Sequence, residues 1–230
     1  MSASLIIPAA GSGSRFGGAR PKQLLELAGR AVLLRSLDAF AGLVAEAVLA
    51  VSPDIHAEVA ALVAAGGLPF PVRLVAGGAT RQASVHAALL ASDPAHAVVL
   101  IHDAVRPLVP QSCIRACLQA LGTHEAALVA VPCTATVKRC RAARGDAAVV
   151  EATVPRDDLW LAQTPQGCQR RHGLTAFARA AAEGWVCSDD AQVLERAGHT
   201  VAVVPGDALN FKVTTPDDWR LAEAVLARRG

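Results

Sequence analysis

The sequence lacks the features that mark membrane, secreted and DNA-coating proteins. Its formal net charge is only +2 over 230 residues, so no basic excess indicates a surface for nucleic acid or membrane. No apolar run approaches the ~20 residues that a membrane-spanning helix needs. The first residues contain no basic segment followed by a hydrophobic signal segment. We therefore expect a cytoplasmic protein with no nucleic acid and no membrane among its partners.

The six cysteines also lack the spacing of a metal site or a redox motif. None forms C-x-x-C, and although Cys113 and Cys117 can share one helix face, no histidine or further cysteine accompanies them at ligand spacing. We interpret the cysteines as reduced and mostly buried small hydrophobic residues. The sequence therefore predicts no metal site formed by protein ligands alone.

Short apolar runs alternate with segments of helical periodicity along most of the chain. Strands are predicted at 5–7, 46–52, 72–75, 98–102, 126–131, 201–204 and 211–213. Helices are predicted at 31–41, 55–65, 81–91, 113–121, 173–182 and 190–197, and a last helix begins near Thr215-Pro216. This pattern is typical of an α/β fold with a Rossmann-like, mostly parallel sheet covered by helices on both faces. With no internal repeat and no linker, residues 1–230 are predicted to form a single domain.

The segment 133–158 interrupts this pattern. It is polar, and Gly145-Asp146 lies between two extended-looking pieces, which indicates a β-hairpin. A hairpin buries little apolar area by itself and is only marginally stable in water. We expect a protruding β-arm that packs against a second subunit, and a mobile surface insertion is the alternative.

The segment Leu5–Lys22, LIIPAAGSGSRFGGARPK, predicts a binding loop for a polyanion such as a nucleoside triphosphate. Glycines let backbone N–H groups approach a ligand closely, and Arg15, Arg20 and Lys22 add charged donors. The loop is not a Walker A motif, because Pro21 and Gln23 flank the lysine, and Phe16 breaks a dinucleotide fingerprint. A flexible glycine turn with solvated charges is the alternative.

Other candidate residues follow predicted strands, and ligands of open α/β sheets bind outside those strand ends. Ser84 after Gly77-Gly78 is interpreted either as contacting a nucleotide base or as an exposed residue of an ordinary helix turn. Asp103 can hold a sugar hydroxyl or a metal, or cap its loop, and Arg106 can bind phosphate or brace that loop. His102 is expected to pack or to form hydrogen bonds rather than to ligate a metal.

Two further positions allow two interpretations each. In Ser188-Asp189-Asp190 the first two residues are more typical of a helix cap than of an acidic metal ligand. Lys212 is either a solvated edge-strand residue or a cation held at the site.

Seven segments, taken together and in order along the chain, resemble the 2-C-methyl-D-erythritol 4-phosphate cytidylyltransferases of the non-mevalonate isoprenoid pathway. They are PAAGSGSRFGGARPKQ, GGATRQASV, HDAVRP, TATVKR, TVPRDDLWLAQTPQ, SDD and NFKVTTPDD. The first segment alone indicates only the nucleotidyltransferase superfamily. HDAVRP, the TPQ segment and NFKVT narrow the resemblance to this family and to the pentitol-phosphate cytidylyltransferases.

The resemblance implies three groups of site residues. Those implied for catalysis are Arg15, Lys22 and Lys212. Those implied for nucleotide binding are Ala9, Ala10, Gly11, Gly78, Ser84 and Asp103. Those implied for binding the polyol phosphate are Asp103, Arg106, Thr136, Arg156 and Thr164. The resemblance further implies CTP as a substrate, Mg²⁺ held mainly by the CTP phosphates, and a homodimer in which Arg156 comes from the partner's arm.

In the implied reaction, a phosphate monoester oxygen attacks the α-phosphorus of CTP and pyrophosphate leaves. The second pKa of the nucleophile is about 6, so it is largely ionised at neutral pH and needs no general base. Catalysis then requires cations that offset the repulsion between two anions and stabilise the charge on the phosphoryl oxygens.

Two positions depart from the family pattern, since Ala79 and Ala135 stand where the family often has acidic residues. Ala135 leaves open an acceptor such as ribitol 5-phosphate, and a non-catalytic nucleotide-binding protein is a further alternative. The last predicted helix ends near Gly230, so no fused downstream enzyme is expected.

Overall fold

Eleven strands and seven α-helices are formed by the residues that the computed structural model describes, which are 2–11, 21–142 and 147–228. The strands are β1 (Ala3–Pro8), β2 (Glu26–Leu27), β3 (Arg30–Ala31), β4 (Glu46–Val51), β5 (Val72–Ala76), β6 (Val98–Ile101), β7 (Ala126–Pro132), β8 (Val137–Ala142), β9 (Ala148–Val154), β10 (Trp160–Gln169) and β11 (Val201–Pro205). The helices are α1 (Val32–Asp38), α2 (His56–Ala65), α3 (Arg81–Ala91), α4 (Gln111–Ala120), α5 (Arg170–Ala182), α6 (Asp190–Arg196) and α7 (Pro216–Ala227). No helix among them is long and apolar enough to cross a membrane.

Seven of the strands form one sheet in the order β11-β7-β10-β6-β1-β4-β5. All neighbours pair in parallel except β10, which is antiparallel to both β6 and β7. In the middle of the sheet Leu5 lies opposite Ala47 on one side and Leu100 on the other. The central strands are buried along most of their length, which explains why their sequences read as continuous apolar runs.

Helices cover both faces of this sheet. Leu5 and Ile7 point to the face covered by α1, α2 and α4, while Ile6 points to the face covered by α3, α5 and α6. This separation follows from the alternation of side chains along a strand. Helix α7 packs apart from both layers, where Ala222 meets Leu27 and Val213 in a smaller cluster. The expected α/β architecture with a separate β-hairpin is confirmed.

The sequence-based prediction missed the two-residue strands β2 and β3, and it was wrong at two further segments. It missed β10, whose segment includes Gln163, Thr164 and Gln166, although these three polar side chains are buried. It also placed a strand at 211–213, where the structure has none. Those residues are irregular, and the Val213 N–H donates one hydrogen bond to the Val105 carbonyl at 2.9 Å.

The predicted hairpin in 133–158 is present as β8 and β9, which pair antiparallel with a register shift between Arg139 and Cys140. Val149 and Val150 are exposed on β9. The predicted Gly145-Asp146 turn includes residues that lie outside the described ranges. This arm buries little of its own apolar surface, as its sequence indicated.

Two of the predicted helix starts have side-chain caps. The Thr215 side chain accepts a hydrogen bond from the Asp218 backbone N–H, and the Asp218 carboxylate accepts one from the Thr215 N–H, which completes a capping box before α7. The Asp189 carboxylate accepts from the Gln192 N–H and caps α6. The capping interpretation of Asp189 is therefore confirmed.

All six cysteines are free, and four of them are buried, namely Cys113, Cys117, Cys133 and Cys168. Burial raises the pKa of the Cys117 and Cys168 thiols to about 12, so both are neutral at physiological pH. These positions act as small hydrophobic residues, as the sequence predicted.

Candidate functional site

A cavity of about 260 Å³ opens at the carboxyl ends of the parallel strands. Its walls include residues that follow β1, residues of the turn before α3 and residues that follow β6. Among them are Ala9, Ala10, Gly11, Lys22, Gln23, Gly78, Arg81, Ser84, Asp103 and Lys212. All of the predicted nucleotide-binding residues therefore line one cavity. The third predicted catalytic residue, Arg15, lies outside the described residues, as does Arg20.

A buried glutamine anchors residues 9–11, which directly follow β1. The Gln23 side-chain amide donates to the carbonyls of Ala9 and Gly11, at 3.1 and 3.3 Å. On the other side Gly77 approaches Ala10 so closely that a Cβ at position 77 would lie 2.4 Å from the Ala10 Cβ. Small residues are therefore required where these two loops meet.

Ser84 is buried, so its interpretation as an exposed helix-turn residue is wrong. Its hydroxyl donates to the Thr80 carbonyl at 2.9 Å and accepts from the Gly78 N–H at 3.1 Å. Because its proton is engaged within the turn, Ser84 faces the cavity only as an acceptor. It also fixes the conformation of the double-glycine turn.

Asp103 is contacted by three cations. Its Oδ1 lies 3.3 Å from Arg81 Nε, and its Oδ2 lies 3.2 Å from both Arg106 Nε and Lys212 Nζ. Burial by itself would raise the pKa of Asp103, but the charges of Arg81, Lys212 and Arg106 outweigh it and hold that pKa well below its usual range. The carboxylate therefore stays ionised and fixes the positions of the cations.

Arg81 is held in turn by Asp190, an ion pair that the sequence did not predict. Arg81 Nη1 and Nη2 donate to the two oxygens of Asp190 at 2.9 and 2.7 Å, and Asp190 is 1% exposed. Burial raises the pKa of Asp190, and the guanidinium of Arg81 opposes this effect. Because the two residues are 109 positions apart, only the fold brings them together.

Lys212 is positioned through the buried Asn210. The Asn210 side-chain amide donates to Gln163 Oε1 at 3.0 Å and to the Thr164 carbonyl at 2.8 Å. The Asn210 carbonyl accepts from Arg106 Nη1 at 2.6 Å. These bonds tie the irregular segment around Lys212 to β10 and to the loop after β6. Lys212 is thus a cation held at the site and not an edge-strand residue.

His102 belongs to a chain of hydrogen bonds that runs from the Asp103 backbone N–H to the Arg106 carbonyl. The Asp103 N–H donates to Thr164 Oγ1, that hydroxyl lies 2.9 Å from His102 Nδ1, and His102 Nε2 lies 3.2 Å from the Arg106 carbonyl. A neutral imidazole with its proton on Nε2 satisfies every member of this chain. Burial lowers the pKa of His102 to about 4, so the ring is neutral at physiological pH, and it forms hydrogen bonds as expected.

The buried His102 predicts that stability falls in mild acid. Its pKa is about 4 in the folded chain and about 6.5 for an unburied histidine, so below 6.5 the unfolded state binds the proton more readily. The free energy of unfolding should therefore lose on the order of 3 kcal/mol from this group as pH falls from 6.5 to about 4. Urea unfolding across that range measures the loss. His102→Asn should reduce the pH slope by about one proton, whereas an unchanged slope would contradict the assignment.

A second cavity of about 300 Å³ adjoins the first. It contains the predicted substrate residues Arg106 and Thr164, together with Gln163, Gln166, Ser188 and Asp189. Three charged residues line both cavities, namely Arg81, Asp103 and Lys212. We call these three residues the shared wall. A group bound in either cavity lies against the same guanidinium and ammonium groups.

Thr136 and Arg156 are not brought to either cavity within one chain. Both are exposed at the base of the arm, where Arg156 Nη1 donates to the Thr134 carbonyl. The loops after β1, β5 and β6 thus contribute residues to the cavities, whereas residues 132–138, which follow β7, do not.

Comparison with known proteins agrees with this geometry. Residues 3–228 match the family model described as 2-C-methyl-D-erythritol 4-phosphate cytidylyltransferase, or IspD. The enzyme of that name from Deinococcus radiodurans is 45% identical over 222 residues, which are 96% of this chain and 88% of the relative. The enzyme from Symbiobacterium thermophilum is 45% identical over 225 residues, 97% of this chain and 92% of the relative.

Solved structures give the same result. The 2-C-methyl-D-erythritol 4-phosphate cytidylyltransferase of Thermus thermophilus is 37% identical and superposes with a TM-score of 0.79, covering 99% of this chain and 100% of that one. The 4-diphosphocytidyl-2C-methyl-D-erythritol synthase of Anaerococcus prevotii is 30% identical, with a TM-score of 0.84 and 99% coverage of both chains.

Proposed function

Since the chain belongs to the 2-C-methyl-D-erythritol 4-phosphate cytidylyltransferase family and catalyses that reaction of the non-mevalonate isoprenoid pathway, we propose that CMP transfer takes place where its two cavities meet. The observation that carries this proposal is the shared wall. Two anionic substrates must approach each other, and Arg81 and Lys212 face both of their cavities.

We place CTP in the first cavity. The backbone of Ala9, Ala10 and Gly11 and the turn at Gly78 leave room for close approach of a nucleotide, and Lys22 brings a cation to its phosphates. Arg15 would add a second cation from the loop that follows. Ser84, as an acceptor, suits a base that presents an amino group, which cytosine does.

The methylerythritol phosphate belongs in the second cavity. Arg106 supplies a guanidinium there for phosphate, and Thr164 and Asp103 supply polar groups for hydroxyls. In the reaction, an oxygen of this phosphate forms a bond to the α-phosphorus of CTP, and the bond from that phosphorus to the bridging oxygen of pyrophosphate breaks. Lys212 and Lys22 stabilise the charge that develops on the phosphoryl oxygens.

Mg²⁺ fits this site as an ion carried mainly by the nucleotide phosphates. Asp103 is a carboxylate that lines the first cavity, and both of its oxygens are already engaged by cations. Such a carboxylate has little capacity left for a metal, so the ion would keep mainly phosphate and water ligands, and Asp103 is the carboxylate of this cavity that could help to hold it. When bound, the ion neutralises phosphate charge.

The arm completes the site in a homodimer under this proposal. Thr136 and Arg156 lie away from the cavities of their own chain, and Val149 and Val150 expose apolar surface on β9. Packing against a partner covers that surface and carries Arg156 to the partner's second cavity. We take residues 1–230 as one domain with the arm at 133–158. The six free cysteines accord with work in the reducing cytoplasm.

Mixing two inactive variants tests whether each active site contains residues from both subunits. If Arg156 acts across the dimer, Lys212→Ala and Arg156→Ala subunits should each be nearly inactive alone. A hybrid dimer would contain one intact site, so an equal mixture should regain about a quarter of wild-type turnover by random pairing. Pyrophosphate release with CTP, Mg²⁺ and 2-C-methyl-D-erythritol 4-phosphate measures the result, with ribitol 5-phosphate as the control acceptor.

The mixture must be unfolded and refolded together, or co-expressed, so that subunits exchange. No recovery, with hybrid dimers present by mass spectrometry, would show that Arg156 does not act across the dimer. Full activity of Arg156→Ala alone would remove that residue from the acceptor site.

A further inference from the structure

Two histidines and a glutamate lie close together near the amino-terminal ends of β7 and β11. The cavities lie at the opposite, carboxyl ends of the parallel strands. Glu125 directly precedes β7, His199 precedes β11, and His172 lies in the first turn of α5. Glu125 Oε1 lies 3.4 Å from His199 Nδ1 and 3.9 Å from His172 Nε2. Three separate elements therefore bring three potential ligand atoms within 4.8 Å of one another.

From this geometry we propose a binding site for a divalent transition metal, of the class of Zn²⁺ or Co²⁺. Imidazole nitrogen and carboxylate oxygen are preferred ligands of these ions, and three protein ligands leave a position for water. Bonds of 2.0–2.1 Å in a tetrahedron place ligand atoms about 3.3–3.4 Å apart. The distance from Glu125 to His199 already equals this value, and the distance from Glu125 to His172 exceeds it by about half an ångström.

The carboxylate is already oriented for such a role. Glu125 Oε2 accepts a hydrogen bond from the Thr200 N–H at 3.3 Å, which leaves Oε1 facing the two histidines. A second hydrogen bond that fixes a metal-binding side chain is the usual arrangement around protein metal sites.

The two imidazoles need a small rearrangement to bind one ion. Their rings are stacked, with centroids 4.4 Å apart and planes inclined by 22°, so one ring must rotate for both lone pairs to converge. The exposed Arg171, whose Nε donates to His172 Nε2 at 3.0 Å, must also withdraw. The His172 Nδ1 is buried and has no hydrogen-bond partner among the described residues.

The two imidazole nitrogens also select against Mg²⁺. Mg²⁺ prefers oxygen ligands and water and competes poorly for two imidazoles. The proposed transition-metal site therefore differs in its ligands from the proposed site of CMP transfer with Mg²⁺, which lies at the carboxyl ends of the strands.

Spectroscopic titration of the untagged, chelator-treated protein tests the proposal. Co²⁺ should bind at one equivalent with visible absorption bands, and Zn²⁺ should displace it, while millimolar Mg²⁺ should not. His199→Asn and His172→Asn each remove a direct ligand, so each should weaken Co²⁺ binding by about 10-fold or more, at least as much as loss of a residue that hydrogen-bonds to a metal ligand does. His124→Asn, at an exposed neighbouring histidine outside the cluster, is the matched control and should bind as the wild type does.

Absence of stoichiometric binding, or equal Co²⁺ affinity in His199→Asn and wild type, would overturn the proposal. Pyrophosphate release by His199→Asn should equal that of the wild type, which shows that the variant folds. A rise in the unfolding temperature with Zn²⁺ in the wild type, lost in His199→Asn, would support it independently.

Discussion

Replacing Lys212 by alanine is expected to lower kcat for pyrophosphate release by about 10²-fold or more, with a smaller effect on KM. The Lys212 ammonium belongs to the wall that both cavities share and is held 3.2 Å from Asp103 Oδ2. A cation fixed in advance costs no reorganisation when charge develops on the α-phosphoryl group. Loss of the Lys212 ammonium should therefore destabilise the transition state more than the ground state.

Two controls accompany Lys212→Ala. Lys212→Arg keeps the charge but changes the shape of the donor, so it should recover only part of kcat. Arg220→Ala removes a cation from the exposed surface of α7, where it pairs with the exposed Asp217, and should leave turnover unchanged. Turnover of Lys212→Ala near the wild-type value would remove Lys212 from the mechanism.

Replacing Arg81 by methionine is expected to destabilise the fold by about 3 kcal/mol or more. The change leaves the Asp190 carboxylate buried without its bidentate partner, and an unpaired buried charge is among the most costly single changes. Burial already raises the pKa of Asp190, and without the guanidinium it rises further above its unfolded value, so the stability of the variant falls more strongly as pH rises. Urea unfolding should show a larger deficit at about pH 8 than at about pH 5.

A double variant separates the role of Arg81 in stability from its role in turnover. Arg81→Met combined with Asp190→Leu removes both charges, so unfolding stability should return to within about 2 kcal/mol of wild type. Turnover should stay low by on the order of 10-fold or more, because Asp103 still lacks the guanidinium at its Oδ1. Recovery of stability and turnover together would show that Arg81 serves only the fold. If stability failed to recover, the Asp190 pair would not be the cause of the destabilisation.

The sequence predicts the parts of this fold whose signals are local. Buried strands such as β4 are continuous apolar runs, and Thr215-Pro216 marks the start of a helix, so β4 and the start of α7 are predicted where the structure has them. Strand β10 is missed because its buried polar residues, Gln163 and Gln166, bond to partners distant in sequence, which a local pattern does not reveal.

Some residues of the candidate site are likewise predicted from local sequence, whereas others are not. Asp103 is predicted because it closely follows a strong buried strand, where ligands of open sheets bind. Asp190 is not predicted as a partner of Arg81. A helix cap at Asp189 is enough to account for two adjacent acidic residues, so the sequence gives no reason to expect a second role for Asp190. Lys212 is ambiguous because Phe211 and Val213 resemble an edge strand, and only the buried Asn210 beside them distinguishes the two environments.

The position of β10 also has a consequence for how the chain folds as it is synthesised. The four strands β5, β4, β1 and β6 are complete once residue 101 has emerged, and each can pair at once. Strand β7 emerges next, but its pairing with this half of the sheet requires β10, which begins at Trp160. The nascent chain therefore holds an N-terminal half-sheet with an open edge along β6 until the arm has been made and β10 fills that edge.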